Sequence, residues 1–178
     1  MKVAFLDRDG TIIKDYLDIE WKNVKEPEFL DGSIEGIRKL IEDGYNVIIV
    51  TNQYLINDGI ISIDQYESFT SKILGALEKE HISILDIYYC PHSKDEKCDC
   101  RKPAIGMIKK AMERHPNIDL TNSILVGDST CDEEFANALA MDFHGIRGGN
   151  LNNQNRLFDS INDVAICRRK KEMIRVSS

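Results

Sequence analysis

Two aspartates close the first apolar run of the chain: Val3-Ala4-Phe5-Leu6 is followed at once by Asp7-Arg8-Asp9-Gly10-Thr11. In an extended segment, side chains at i and i+2 share a face, and Asp-Gly signals a turn. Carboxylates this close repel unless a cation or a shared proton neutralises them. A divalent metal suits them, and a solvated acidic turn is the plain alternative. A second apolar run, Ile124-Leu125-Val126-Gly127, also ends in a carboxylate, Asp128, with Asp132 four residues on. Asp128 can complete a ligand set begun by Asp7 and Asp9, and hard oxygen ligands in an open site suit Mg2+.

Three further clusters carry chemistry. Val47-Ile48-Ile49-Val50 ends in Thr51-Asn52-Gln53, a hydroxyl and two amides that can donate to a bound oxyanion. Cys90, His92, Cys98 and Cys100 fall in one short loop and match the donor inventory of a closed structural zinc site. Clustered thiols in a chain without a secretory signal favour metal over disulfides. Arg101-Lys102-Pro103 comes directly after. A guanidinium and an ammonium presented by a rigid knuckle form a clamp for an anion, where otherwise they are ordinary surface cations. Taken together, the strand ends supply a nucleophile, oxyanion donors, charge-neutralising cations and a proton carrier, the set a phosphoryl group requires.

These residues need a scaffold that brings strand ends together. Apolar runs of strand length recur at 3–6, 47–50, 85–89, 124–126 and 143–146. Between them, helix-spaced stripes run through Ile34, Ile37, Leu40 and Ile41, with Ser33 as N-cap and Gly44 as stop. Others run through Tyr66, Phe69, Ile73 and Leu77 from about Asp64, through Ile105, Ile108 and Met112, and through Phe135, Ala138 and Leu139. Alternating strands and helices imply right-handed crossovers, hence an α/β fold with a doubly wound, mostly parallel sheet covered on both faces. In such sheets ligands bind at strand C-termini. Residues 15–28 fit no period and read as a loop or small flap near that edge. The basic run Arg168-Arg169-Lys170-Lys171 reads as a solvated terminal helix or frayed end.

Composition narrows the class. With 178 residues, 42 % hydrophobic and 30 % charged, one soluble domain can bury its own core. A net charge of −7 argues against a general nucleic-acid surface. No apolar run reaches membrane length, so a cytoplasmic monomer is expected.

The motifs resemble those of the haloacid dehalogenase superfamily of phosphotransferases. More narrowly, Asp7–Thr11, Thr51–Gln53 and Cys90–Pro103 resemble the branch that contains D-glycero-D-manno-heptose 1,7-bisphosphate phosphatase and the histidinol-phosphate phosphatase domain. The resemblance implies a phosphatase domain over 1–150 without a large cap, and the remainder, 151–178, is expected to be a C-terminal extension that is helical or partly disordered. It implies Asp7 as nucleophile and Asp9 as acid and base. Mg2+ would be held by Asp7, Asp128 and the backbone carbonyl of Asp9, and zinc by Cys90, His92, Cys98 and Cys100. Thr51 and Lys102 would hold phosphoryl oxygens, Arg101, Asn52 and Gln53 would face substrate, and Asp132 would brace the metal loop. Specificity would fall to residues 15–28, the segment after Gln53 and the zinc loop. Departures from the branch pattern sit there: Tyr54-Leu55-Ile56-Asn57-Asp58-Gly59 after the second motif, Ile13, and Ser129 after Asp128. A bisphosphorylated heptose is the first substrate expected and histidinol phosphate the second. Other readings are a non-catalytic zinc-scaffolded binding protein, transfer to an acceptor other than water, and a nucleic-acid 3′-end phosphatase, which the acidic balance opposes.

Overall fold

The computed structural model of the chain describes residues 1–151 and 157–176, with side chains of the final helix as far as 174. Six parallel strands form one sheet: β1 Val3–Leu6, β2 Asn46–Asn52, β3 Asp86–Cys90, β4 Ile124–Gly127, β5 Asp142–Ile146 and β6 Leu157–Phe158. Their order is β3-β2-β1-β4-β5-β6, the doubly wound arrangement expected. Helices α1 Ser33–Glu42, α2 Ile63–Lys79, α3 Gly106–Arg114, α4 Thr130–Ala138 and α5 Ile161–Val176 cover it. Strand alternation divides the core in two. Ala4, Leu6, Val47 and Ile49 pack with Ile37, Leu40, Ile73, Leu77 and Val164, from α1, α2 and α5. Val3, Phe5, Ile48 and Val50 pack with Ile108, Ala111 and Phe135, from α3 and α4. Both faces are therefore apolar, which is why the strands read as continuous hydrophobic runs.

Register places the site. Leu6 pairs with Ile49 on β2 and with Val126 on β4. The next residue, Asp7, therefore emerges between two neighbours that run on past Leu6, β2 through Thr51 to Asn52 and β4 to Gly127, directly before Asp128.

Several helix details differ from the sequence reading. Gly32, with φ of 74°, is the N-cap of α1, and Ser33 lies inside the first turn without a capping bond. The second helix starts from a Ser62/Gln65 capping box, just ahead of Asp64. In α3 the inward face is Met107, Ile108 and Ala111, whereas Met112 is exposed; in α4 Ala136 turns inward in place of Ala138. Both helices have nine residues, too short a window for periodicity to fix the face to one residue. One element was not foreseen, β6, of two residues, and the expected terminal helix is not solvated throughout: in the first half of α5, Ile161, Val164 and Ala165 are fully buried. The helix is clasped to α1. Arg169 forks onto Asp43 at 2.8 and 2.9 Å and reaches Glu42 at 2.8 Å, and Arg168 meets Asp142 at 2.7 Å. A Cβ on Gly36 of α1 would stand 2.3 Å from the backbone nitrogen of Asn162, so only glycine permits this approach. The basic run is thus half structural: Arg168 and Arg169 are partly buried, and exposure begins at Lys170. Residues 152–156 and 177–178 of the expected extension lie outside the described residues. Among the described residues no helix is long and apolar enough to cross a membrane.

Candidate active site

Lys102 is the pivot. Its ammonium lies 2.6 Å from Asp7 Oδ1, 2.6 Å from Asp132 Oδ1 and 3.0 Å from the carbonyl of Val50, with the residue only 3 % exposed. Burial works against the charge, but Asp132 and Asp7 outweigh it and hold the lysine pKa above its ordinary value. The Lys102 backbone is fixed in turn by Asn52, whose Oδ1 accepts from Lys102 N–H at 2.9 Å and whose amide donates to its carbonyl at 3.3 Å. Asn52 thus joins β2 to the loop that carries Lys102.

Asp7, Asp128 and Asp132 bring carboxylate oxygens within 4.8 Å of one another. Burial first, then the neighbouring acids, push the Asp7 pKa well up, with Lys102 pulling the other way. Asp128 is pushed up to about 7 by burial and by Asp132. The pocket is therefore short of positive charge, and hard oxygen donors beside an open cleft fit Mg2+. Asp132 has little capacity left: one oxygen is on Lys102 and the other accepts from the Ser129 backbone N–H at 3.1 Å and from its hydroxyl. Gly10 makes room for the cluster. Its φ is +80°, and a Cβ there would stand 2.2 Å from Asp128 Oδ2.

The Asp9 carboxylate is not in this cluster, which corrects the Asp7, Asp9, Asp128 carboxylate set drawn from the i, i+2 spacing. The strand stops at Leu6, so strand parity no longer governs Asp9. Its carboxylate accepts side-on from Arg8 Nε at 2.8 Å and Nη2 at 2.9 Å, and from Gln53 Nε2 at 2.6 Å. Gln53 also donates to Thr51 Oγ1 at 2.8 Å and accepts from Arg8 at 2.9 Å, so its amide is engaged within the protein. Arg8 had no role in the sequence reading. The available signal was its place between two acids.

Cys90, His92, Cys98 and Cys100 converge. Their sulfurs are 3.2 to 3.6 Å apart, and His92 Nδ1 is 3.4 Å from Cys90 and 3.2 Å from Cys100. A tetrahedral zinc would set such ligands roughly 3.5–3.8 Å apart, so the donors need to open by only a few tenths of an ångström. Burial pushes the Cys90 and Cys100 thiols up, whereas backbone N–H groups of Arg101 and Cys100 outweigh burial at Cys98 and lower it. The segment after Gln53 is pinned to this loop: Asn57 donates to Glu96 at 2.9 Å and Ser93 to Asp58. Two of the residues that depart from the branch pattern therefore brace the cysteine loop.

A cleft of about 1060 Å³ gathers these parts; Asp7, Asp9, Thr51, Asn52, Gln53, Arg101, Lys102 and Asp128 all line it. The far wall comes from residues 15–21, including Tyr16, Asp18 and the buried Trp21, and from Arg147. Arg101 lies over the Tyr54 ring at 4.7 Å, and Tyr54 donates to Asp18 at 2.8 Å. That bond bridges the flap to the β2 side of the cleft.

A parallel sheet whose central strand ends in an acid, flanked by a hydroxyl, a buried lysine and a second acid, is built as a haloacid dehalogenase-type phosphatase. Comparisons with known proteins agree. Residues 2–146 match the family described as Polynucleotide kinase 3 phosphatase. The chain is 40 % identical over 139 residues to the D-glycero-alpha-D-manno-heptose-1,7-bisphosphate 7-phosphatase of Photorhabdus laumondii, covering 74 % of each chain. It is 39 % identical over 137 residues to the D-glycero-beta-D-manno-heptose-1,7-bisphosphate 7-phosphatase of Haemophilus influenzae, covering 74 % of this chain and 73 % of that one. A crystal structure of D,D-heptose 1,7-bisphosphate phosphatase from B. bronchiseptica, complexed with magnesium and phosphate, has a TM-score of 0.84 at 27 % identity, over 96 % of this chain and 99 % of that one. The chain belongs to the polynucleotide kinase 3 phosphatase family, in the heptose-bisphosphate phosphatase-like branch of the haloacid dehalogenase superfamily, and is a phosphatase.

Proposed function

We propose that the protein hydrolyses the 7-phosphate of a D-glycero-D-manno-heptose 1,7-bisphosphate by way of an aspartyl-phosphate on Asp7. The observation that carries the reading is the meeting of Asp7, Lys102 and Asp128 on one cleft floor. Asp7 attacks phosphorus; as its carboxylate oxygen bonds, the ester oxygen leaves with a proton from Asp9. Water then attacks the same phosphorus, gives a proton to Asp9, and frees phosphate and Asp7. Lys102 and Thr51 hold phosphoryl oxygens, and Lys102 screens the nucleophile's charge. Asn52 acts by fixing Lys102, and Gln53 with Arg8 by fixing where the Asp9 carboxylate waits. Asp7, Asp128 and the carbonyl of Asp9 would hold Mg2+, which supplies positive charge against the phosphoryl oxygens. The four-donor loop would hold structural zinc, since no position in it is left for water.

A substrate with two phosphates suits the cleft because Arg101, Lys14 and Arg147 line it in addition to Lys102, although Lys14 is paired with Glu28 at 3.0 Å and Arg147 with Asp159 at 2.7 Å. A polynucleotide is a poorer match to a chain of net charge −7. Histidinol phosphate is the second reading, because Asp15, Asp18 and Glu20 line the same wall and suit an ammonium. Catalytic efficiency on both heptose anomers, their monophosphates and histidinol phosphate decides between them. Equal or better hydrolysis of histidinol phosphate would overturn the sugar assignment. Asp7→Asn should keep its fold and lose turnover, and full activity in it would remove the mechanism.

A further inference from the structure

The cations Lys14, Arg101, Lys102 and Arg147 line the cleft. Lys102 is paired with Asp7 and Asp132, Lys14 with Glu28 and Arg147 with Asp159. Arg101 differs. Among the described residues no carboxylate pairs with it; its Nη1 donates to the carbonyl of His92 at 3.3 Å, and its guanidinium carbon lies 4.7 Å from the Tyr54 ring centroid. A ring face orients a guanidinium without cancelling its charge, as a carboxylate would. The hydroxyl of the same tyrosine faces an acid, donating to Asp18 Oδ1 at 2.8 Å. Burial and that bond push the phenol pKa up to about 12, so the hydroxyl remains a donor at neutral pH. The backbone beneath the ring is anchored as well. Asp58 N–H donates to the Tyr54 carbonyl at 2.9 Å, and Ser93 of the cysteine loop donates to the Asp58 carboxylate. Tyr54 thus stands, half-buried, in contact with both the exposed Asp18 and the partly buried Arg101.

The two contacts act on one charge. Released from the phenol, Asp18 would have a cation without a carboxylate partner within side-chain reach, and an ion pair between them would neutralise the cleft-lining cation left for a second anion. We propose that Tyr54 is a positioning residue that determines specificity: its ring holds Arg101 at the cleft wall and its hydroxyl diverts Asp18, so that Arg101 keeps its charge for the second anionic group of a bound phosphoester. The proposal rests on Arg101 facing substrate, as in the reading above, and not on that substrate being a heptose.

The test uses the full-length protein with Mg2+ and p-nitrophenyl phosphate as the reporter substrate. Fructose 1,6-bisphosphate and fructose 6-phosphate compete as two-anion and one-anion probes, and the readout is the ratio of their inhibition constants. The parent should prefer the bisphosphate. Tyr54→Phe keeps the ring and loses the hydroxyl, and should cut that preference about two- to fivefold, the worth of one exposed ion pair. Adding Asp18→Ala to Tyr54→Phe should restore it, and Asp18→Ala alone should leave it in place or raise it. Plain tethering of the flap by the 2.8 Å bond predicts otherwise, since both single variants break that bond alike. No preference in the parent, an unchanged preference in Tyr54→Phe, equal weakening of both probes in Tyr54→Phe, a fall in Asp18→Ala alone, or no restoration in the double variant would each overturn the proposal. Neither probe is a heptose, so the sugar assignment can fail while this proposal stands, and the reverse.

Discussion

Replacing Lys102 by methionine removes one positive charge and little volume from a fully packed position. The parent lysine makes two charge-assisted bonds of 2.6 Å, to Asp7 and Asp132, in a site where it is 3 % exposed. Breaking a buried pair from one side costs about 3–5 kcal/mol, because the partner charges stay buried. For a chain of this size that corresponds to roughly 6–20 °C in Tm. The loss depends on pH, and the sign follows from the carboxylates. Burial and mutual repulsion already raise Asp7 and Asp128, and without Lys102 they rise further. A carboxyl whose folded pKa lies above its unfolded value keeps its proton longer in the folded state, so its contribution is lost as pH rises. The variant should therefore be close to the parent at pH 5 and furthest below it at pH 8. Calorimetry in chelator across that range is the assay, and added Mg2+ should restore part of the deficit. A deficit at pH 8 no larger than at pH 5 would refute the electrostatic account. With Mg2+ restored, kcat should still fall by about 10²–10³, the value of one oxyanion donor.

Three further outcomes are expected. Protein purified without chelator should carry one tightly held zinc, and Cys90→Ser should lose it together with thermal stability; equal stability with no metal in the parent would defeat the site. Chelated parent protein should lose stability as pH rises from about 4 towards 7, because folded Asp128 keeps its proton up to about 7 whereas the unfolded carboxyl releases it near 3.8. Stabilisation by Mg2+ should grow over the same interval, so Tm with and without Mg2+ at pH 5 and pH 8 checks the sign. Gly10→Ala should cost about 1–3 kcal/mol for the left-handed backbone and weaken Mg2+ binding more than urea stability, since its Cβ meets Asp128 Oδ2 at 2.2 Å.

What the sequence made legible was what is local. The strand ends at Asp7, Thr51 and Asp128 and the Cys90–Cys100 loop each lie within a few residues, and the parallel sheet brings them together as expected. What escaped depends on contacts far apart in sequence. Asp9 was placed with Asp7 by strand parity, but Gln53, 44 residues away, and Arg8 draw its carboxylate elsewhere. Asn52 and Gln53, which the resemblance implies at the substrate, do line the cleft, but the bonds their amides make to Lys102, Thr51 and Asp9 are not legible in their types. The charged run 168–171 concealed the buried half of α5, although Ile161, Val164 and Ala165 stand at helical spacing and carried the signal.

The central position of β1 has a consequence for how the chain is made. One edge of β1 is covered once β2 has emerged from the ribosome, but its other edge waits for β4, roughly seventy residues later, or about 4–15 s at ordinary elongation rates. During that interval Val3-Ala4-Phe5-Leu6, every residue of which is buried in the finished fold, presents an open hydrophobic edge. Nascent chains stalled before Ile124 should therefore be the ones that aggregate or recruit holdase chaperones, and a slow stretch of translation there would cost yield without changing a single residue of the product.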